Sequence, residues 1–424
     1  MTDATGARPG QGAGTGDGPG ASTAPWAGAF TLGRVPVVDF GRGRIGRLPV
    51  IVAGHGRRAL LVTGERSFRA TPAWDALLAG LAGAGVEVEA LAVAGEPSPR
   101  LVDEAVARYE PARIDVVVGI GGGSVLDAAK AVAGMLRTGR SVMDHLEIVG
   151  RGLPYEGPAT PFIAVPTTAG TGSEATKNAV LSERGPDGFK RSFRDDRLVA
   201  AVALVDPDLL ESCPRALIAA DGMDAVTQLL EACVSTGAGP VTDALALAGL
   251  AAARDALLYW HAAGPGAGEA TAAARERMAF AALASGICLA HAGLGSVHGL
   301  AAPLGAALTV PHGAACGATL VAATEVNLAA LAARDPDGPG LARYAAAGRV
   351  VAGDPRLDDA AARGALLSTL RTWTRALAIP GLAAYGLLPA LEPAIVAGSR
   401  GGSMKTNPIV LTDGEVAAIL AASV

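Results

Sequence analysis

Residues 115–130 read DVVVGIGGGSVLDAAK. Val116, Val117, Val118 and Ile120 make a β-branched run with no polar alternation. Such a run suits a strand of a parallel sheet, which is covered on both faces. Gly121, Gly122 and Gly123 follow, and then a segment with helical apolar spacing that begins at Ser124. Backbone N–H groups of a glycine turn can approach an anion closely, and the helix N-terminus adds partial positive charge. The stretch therefore predicts strand, phosphate cradle and helix. It is not GxGxxG, because Ser124 stands where the third glycine would be, and no Gly-Lys-Ser/Thr follows to make a Walker A loop. A glycine turn alone is equally a structural turn; the strand–loop–helix context favours the ligand.

Outward from this segment the same alternation repeats. Residues 57–64, 86–95, 161–168 and 198–207 read as strands, and 71–85, 98–110 and 124–136 as helices. Alternating strands and helices imply a parallel sheet with crossover helices. After Asp206-Pro207 the texture changes. Helical periods are expected at 215–235, 240–262, 270–290, 291–306, 315–334, 340–352, 358–377, 386–397 and 413–422. The fold class read from this pattern is an α/β, Rossmann-like parallel-sheet domain over 28–212, followed by an all-α domain over 213–424. Residues 1–27, rich in Gly, Ala, Thr, Ser and Pro, are expected to form a disordered tail. In a chain of two such domains the cleft between them is the expected ligand site.

Composition narrows the function. With 424 residues, two domains are expected, and 50 % apolar residues supply their cores. A net charge of −5 and 4 % aromatics argue against nucleic-acid binding, which needs a basic face or stacking platforms. No uninterrupted apolar run of the ~20 residues needed to cross a bilayer stands out, and the start lacks the pattern of a secretory signal. The four cysteines, Cys213, Cys233, Cys288 and Cys316, are dispersed, so free thiols and a cytoplasmic location are expected.

Three further segments carry chemistry. VPTTAGTGSEATKNAV (165–180) is a hydroxyl-rich loop in which Thr167, Thr168, Thr171 and Ser173 could donate to a phosphate or a ribose, or simply cap a helix. Two such loops at the carboxyl ends of strands favour a dinucleotide. In DGMDAVTQLLE (221–231), Asp224 and Gln228 are four apart and share one helical face. Of six histidines, His298 and His312 fall in GSVHGLAAPLGAALTVPHGAAC (295–316). Histidine is the commonest metal ligand, so Asp224, His298 and His312 could together hold a divalent ion.

GGGSVLDAAK, PTTAGTGSEATKNAV, GMDAVTQLLEA and VHGLAAPLG…PHG, in that order, resemble the iron-dependent (group III) alcohol dehydrogenases. The resemblance implies the dehydroquinate synthase-like fold of that family. It implies an oxidoreductase acting on CH–OH, an NAD(P)H-dependent alcohol dehydrogenase or aldehyde reductase, with Fe²⁺ or Zn²⁺ polarising the carbonyl. Gly121, Gly122, Gly123 and Ser124 would bind the pyrophosphate, Asp127 would contact the cofactor, Thr167, Thr168 and Thr171 would line the nucleotide site, and Lys190 would lie near a ribose. Asp224, Gln228, His298 and His312 would be the metal positions, with His298 and His312 catalytic. A homo-oligomer is also implied.

Three departures bear on mechanism. Gln228 stands where the family pattern has a histidine ligand; a neutral amide oxygen is the weaker donor for Fe²⁺ or Zn²⁺. Ala302 stands where a proton-relaying histidine is common. Gly64, after strand 57–64, replaces an aspartate that holds the adenosine ribose in many NAD-dependent members. Glycine leaves room for a 2′-phosphate that Arg66 or Arg69 could pair, so NADPH is expected. The segment SRGGSMKTNP (399–408) places Arg400 or Lys405 as partners for an acidic group on a short aldehyde. Competing readings are a metal-independent reductase of maleylacetate type, a dehydroquinate synthase-like lyase and a nucleotide-binding paralogue without activity.

Overall fold

The computed structural model describes residues 29–183, 188–266 and 268–424. The 1–27 segment expected to be disordered lies outside them. The strands are β1 (Val37–Phe40), β2 (Arg58–Gly64), β3 (Glu87–Val93), β4 (Val116–Gly121), β5 (Phe162–Pro166), β6 (Asn178–Glu183), β7 (Phe189–Arg194) and β8 (Val202–Val205). Six of them form one sheet in the order β1-β8-β5-β4-β2-β3, and every pairing in it is parallel. Successive residues of β2 alternate between its faces. Leu60 and Val62 enter a core beneath helices α3 (Pro99–Tyr109) and α4 (Gly123–Met135). Ala59 and Leu61 enter one beneath α1 (Leu48–Ala53) and α2 (Pro72–Gly83). Burial on both faces is why these strands read as continuous apolar runs.

From Arg215 onward the chain is helical: α5 (Arg215–Val234), α6 (Pro240–Ala263), α7 (Glu269–Ala292), α8 (Ser296–Ala307), α9 (His312–Arg334), α10 (Pro339–Ala352), α11 (Asp359–Ala376), α12 (Glu392–Gly398) and α13 (Asp413–Ala421). Helix α5 is the spine, buried among α6, α7 and α9. The parallel sheet followed by helices is the α/β-plus-all-α class expected from the sequence. Helix α9 is long and apolar enough to cross a bilayer by length and composition, but Thr319, Thr324, Glu325 and Asn327 interrupt it and 67 % of its apolar window is buried inside this core. It starts at His312 rather than near 315, which puts that histidine in its first turn.

Two elements were not anticipated. Strand β1 pairs with β8 at one edge of the sheet. The antiparallel hairpin β6–β7 packs against α4 and α8. In β6 only Ala179 and Leu181 are buried, while Asn178, Val180 and Ser182 face outward, so its apolar signal is two residues long.

Candidate active site

The floor of the cleft is built where β4 and β5 end. Gly121 closes β4 and Gly123 opens α4. A methyl at Gly123 would stand 2.7 Å from the Thr171 side chain, and one at Gly122 would stand 3.2 Å from that of Thr168. The glycine turn and the hydroxyl loop therefore lie against each other, and Thr167 ties them by donating its N–H to the Gly121 carbonyl at 3.0 Å. Glycine backbone lines this part of the α4 N-terminus, the arrangement an anionic phosphate requires. The residues fit a dinucleotide pyrophosphate.

The hydroxyl loop is fixed on both sides. Lys130, buried in α4, donates to the Ser173 carbonyl, Thr176 Oγ1 and the Asn178 carbonyl at 2.8, 2.9 and 2.8 Å. Asp127 accepts from Ser173 Oγ at 2.5 Å and from the Val180 N–H at 3.1 Å, so its carboxylate clamps loop to helix. Burial lowers Lys130 to about 8 and raises Glu174 to about 7. On the other side Gly172, at φ 61°, meets Gly286 of α7 so closely that a methyl on Gly286 would lie 2.1 Å from the Gly172 carbonyl oxygen. Two backbones touch there, which joins the loop to the helical domain.

Asp224 on α5, His298 on α8 and His312 and Cys316 on α9 converge directly beside this loop. One donor atom from each lies within 4.8 Å of all the others. His298 Nε2 is 3.1 Å from Asp224 Oδ1, and His312 Nε2 is 3.7 Å from the same oxygen. The other nitrogen of His298, Nδ1, pairs with Glu231 at 2.7 Å, and Glu231 also accepts the Val297 N–H at 2.6 Å. A carboxylate behind a histidine orients the ring and raises its basicity toward whatever the front nitrogen meets. Burial opposes charge on His298, yet Cys316, Asp224 and Glu231 raise it well above its ordinary value. Burial pushes the Cys316 thiol up to about 11, so the two carboxylates supply that effect. Burial would raise Asp224, but the His312 and His298 rings bring it down to about 2. Burial holds His312 itself down to about 4, so its lone pair is free. Two buried carboxylates flank the His298 ring, and a cation in front of its Nε2 would relieve their charge. Two imidazoles and a carboxylate also suit Fe²⁺ or Zn²⁺. The residues fit a divalent metal.

The remaining expected positions fall as follows. Gln228, one turn along α5 from Asp224, accepts from Ser285 Oγ on its amide oxygen at 2.9 Å and donates from Nε2 to the Thr171 carbonyl at 3.3 Å. Its oxygen thus faces α7, away from the cluster, and its amide helps to lower Asp224. Ser124 lies in the first turn of α4. Lys190 on β7 pairs with Glu96 at 2.5 Å and lies 3.7 Å from where a methyl on Gly305 of α8 would be, at the rim of the cleft. Gly64 ends β2. Close by, Arg69 donates from Nε to Thr63 Oγ1 at 2.6 Å, stacks over Trp74 and keeps a buried Nη2 with no partner among the described residues. Ala302 follows His298 by one turn of α8. Arg400 is held by the Leu411 carbonyl and Asp413 rather than aimed into the cleft, and Lys405 is exposed. Sequence reasoning passed over Cys316 and Glu231. Both carried the spacing signal: Cys316 is four after His312, and Glu231 is three after Gln228 and seven after Asp224.

Comparison with known proteins adds to this geometry. Residues 36–207 match the family model described as iron-containing alcohol dehydrogenase, and 218–424 match that of the Fe-containing alcohol dehydrogenase family, C-terminal. The NAD-dependent methanol dehydrogenase of Bacillus methanolicus is 31 % identical over 299 residues, covering 68 % of this chain and 76 % of that protein. Several other curated relatives align over about half of their own length. A 1,3-propanediol oxidoreductase structure superposes with a TM-score of 0.83 at 30 % identity, over 93 % of this chain and 100 % of that one. A sulfoacetaldehyde reductase from Bifidobacterium kashiwanohense, solved in complex with NAD⁺, gives 0.79 at 26 % identity over 93 % and 98 %.

Proposed function

The chain belongs to the iron-containing alcohol dehydrogenase family, and on that premise we propose that it reduces a short aldehyde with NADPH at a metal centre held by Asp224, His298 and His312. It is an oxidoreductase that interconverts alcohols and carbonyls with a nicotinamide cofactor. The observation that carries the metal-dependent reading is the convergence of those three side chains beside the glycine cradle.

A bound divalent ion would polarise the carbonyl and stabilise the developing alkoxide while the nicotinamide supplies the hydride. The chain's own residues prepare that step. Gly122 and Gly123 let the pyrophosphate reach the α4 N-terminus. Glu231 fixes the His298 ring with Nε2 toward Asp224. Gln228 holds the hydroxyl loop to α5 through the Thr171 carbonyl. Ala302 can provide no proton, and the His312 side chain, 32 % exposed, marks the side from which solvent would supply one to the product oxygen. The preference for NADPH is supported by Gly64 and by the Nη2 of Arg69, a buried cationic donor beside the end of β2 without a partner among the described residues. With Arg400 tied to Asp413, the reading favours a short, uncharged or weakly acidic aldehyde.

Two further expectations are part of this reading. A cytoplasmic location is supported by four free, buried cysteines. A homo-oligomer is supported by Val37 and Val38, exposed on edge strand β1. Metal analysis of the purified protein, beside NADPH- and NADH-dependent reduction of short aldehydes before and after chelation, tests the proposal. Stoichiometric metal with chelator-sensitive turnover is expected. Turnover without metal would replace it with the metal-independent reductase, and cofactor binding without turnover with a non-catalytic paralogue.

A further inference from the structure

We propose that Cys316 is the fourth protein ligand of the metal centre, so that the site is an Asp-His-His-Cys set. The inference rests on the metal-dependent reading above. The Cys316 sulfur lies 3.7 Å from His298 Nε2 and 3.9 Å from His312 Nε2. Asp224 Oδ1 lies 3.1 and 3.7 Å from the same two nitrogens. Tetrahedral zinc, with bonds of roughly 2.0 Å to nitrogen or oxygen and 2.3 Å to sulfur, separates its donors by roughly 3.3–3.6 Å. All four of these donor pairs stand at that spacing to within a few tenths of an ångström. The two remaining pairs, His298 with His312 and Asp224 with Cys316, lie within 4.8 Å.

The position expected to supply the fourth donor is otherwise engaged. The Thr171 carbonyl can only accept, so the Gln228 amide nitrogen turns toward it and the amide oxygen toward Ser285 Oγ. Cys316 takes up the role from the opposite helix. It follows His312 by four residues on α9, so the two share one helical face toward Asp224. Cys316 also differs from its counterparts. The Cys213 and Cys288 thiols donate to the Thr167 and Thr242 carbonyls, whereas the contacts of the Cys316 sulfur are the two ligand imidazoles. Charge agrees as well. A thiolate and the Asp224 carboxylate beside two neutral imidazoles neutralise a divalent ion, and binding releases two protons to solvent, one from the Cys316 thiol and one from the His298 imidazolium. Thiolate is a soft donor that suits Zn²⁺ better than an all-oxygen-and-nitrogen set does.

Cobalt titration of the metal-depleted full chain tests the assignment. One equivalent of Co²⁺ should bind with a thiolate-to-cobalt charge-transfer band in the near ultraviolet. Cys316→Ser should lose the band and weaken cobalt binding at least about tenfold, while Gln228→Ala should keep the band. Far-ultraviolet circular dichroism and NADPH binding report that the Ser variant is folded. Stoichiometric cobalt without the band, or a band that survives in Cys316→Ser, overturns the ligand assignment and leaves the metal reading standing. Failure of the wild-type chain to bind cobalt or zinc overturns both.

Discussion

His298 has partners on both ring nitrogens, Glu231 behind and Asp224 in front, and both come from α5. Replacing it with alanine removes a proposed ligand and leaves two carboxylates facing an empty space, but it touches nothing in the glycine cradle. His298→Ala should lower kcat/KM by at least about a hundredfold while the Kd for NADPH, read by fluorescence titration, stays within about twofold. Unchanged turnover would remove His298 from the mechanism. Arg69 offers the complementary case. Its Nε is committed to Thr63 and its guanidinium plane to Trp74, leaving Nη2 for an anion. Arg69→Ala should raise the KM for NADPH about tenfold or more and leave that for NADH nearly unchanged; equal effects on both would assign Arg69 to packing. At this scale Asp224, His298 and His312 were legible because ionisable residues are rare in apolar, glycine-rich segments. Cys316 was not, because a lone cysteine reads as a small apolar filler until the fold brings α9 against α5.

The link between α4 and the hydroxyl loop carries its own pH dependence. Glu174 is buried in the short turn of Ser173–Ala175, and burial raises it to about 7 from 4.5. A carboxyl held above its unfolded value favours the folded state most below pH 4.5, and that contribution is lost as pH rises through 7. The difference corresponds to roughly 3 kcal/mol at about 1.36 kcal/mol per unit. Glu174→Gln cannot ionise, so its stability relative to the wild type should increase between about pH 5 and 8, as measured by urea unfolding at each pH. A constant difference across that range would show that Glu174 stays ionised throughout, with Lys130 as its counter-charge. Among the elements, long helices and doubly buried strands were readable because periodicity accumulates over many residues. The β6–β7 hairpin was not, since its inward positions are few and its outward ones polar and basic, as in Phe189–Arg194. It nonetheless delivers Lys190 to the rim.

For the whole molecule, one helix connects site to core. Helix α5, which carries Asp224 and Glu231, packs against α7 and α9, so an ion held there would tie the helices of the domain together around it. Metal at about a thousandfold its Kd should add about 4 kcal/mol to stability by mass action. Chelation should therefore lower the thermal midpoint of the wild type, and this shift should vanish in His298→Ala. Equal midpoints with and without chelator in the wild type would mean that no ion is bound. The two-part architecture could be read from where strand patterns stop. The strand order could not, because β1 enters the sheet beside β8, some 165 residues later in sequence by the register of Val37 with Val202, and no local pattern encodes that partner.

The close packing around the cleft floor, against backbone at Gly172 and Gly286 and against the Thr171 side chain at Gly123, has a practical meaning for anyone who would evolve this protein. Glycines 123, 172 and 286 each face a neighbour that leaves less than 3.0 Å for a methyl carbon. In a library randomised at these three codons, survivors selected on any aldehyde should carry glycine at all three, whereas survivors randomised at the rim should diverge with the compound used. The floor would then be the same for every descendant, and new chemistry would be drafted only along the walls.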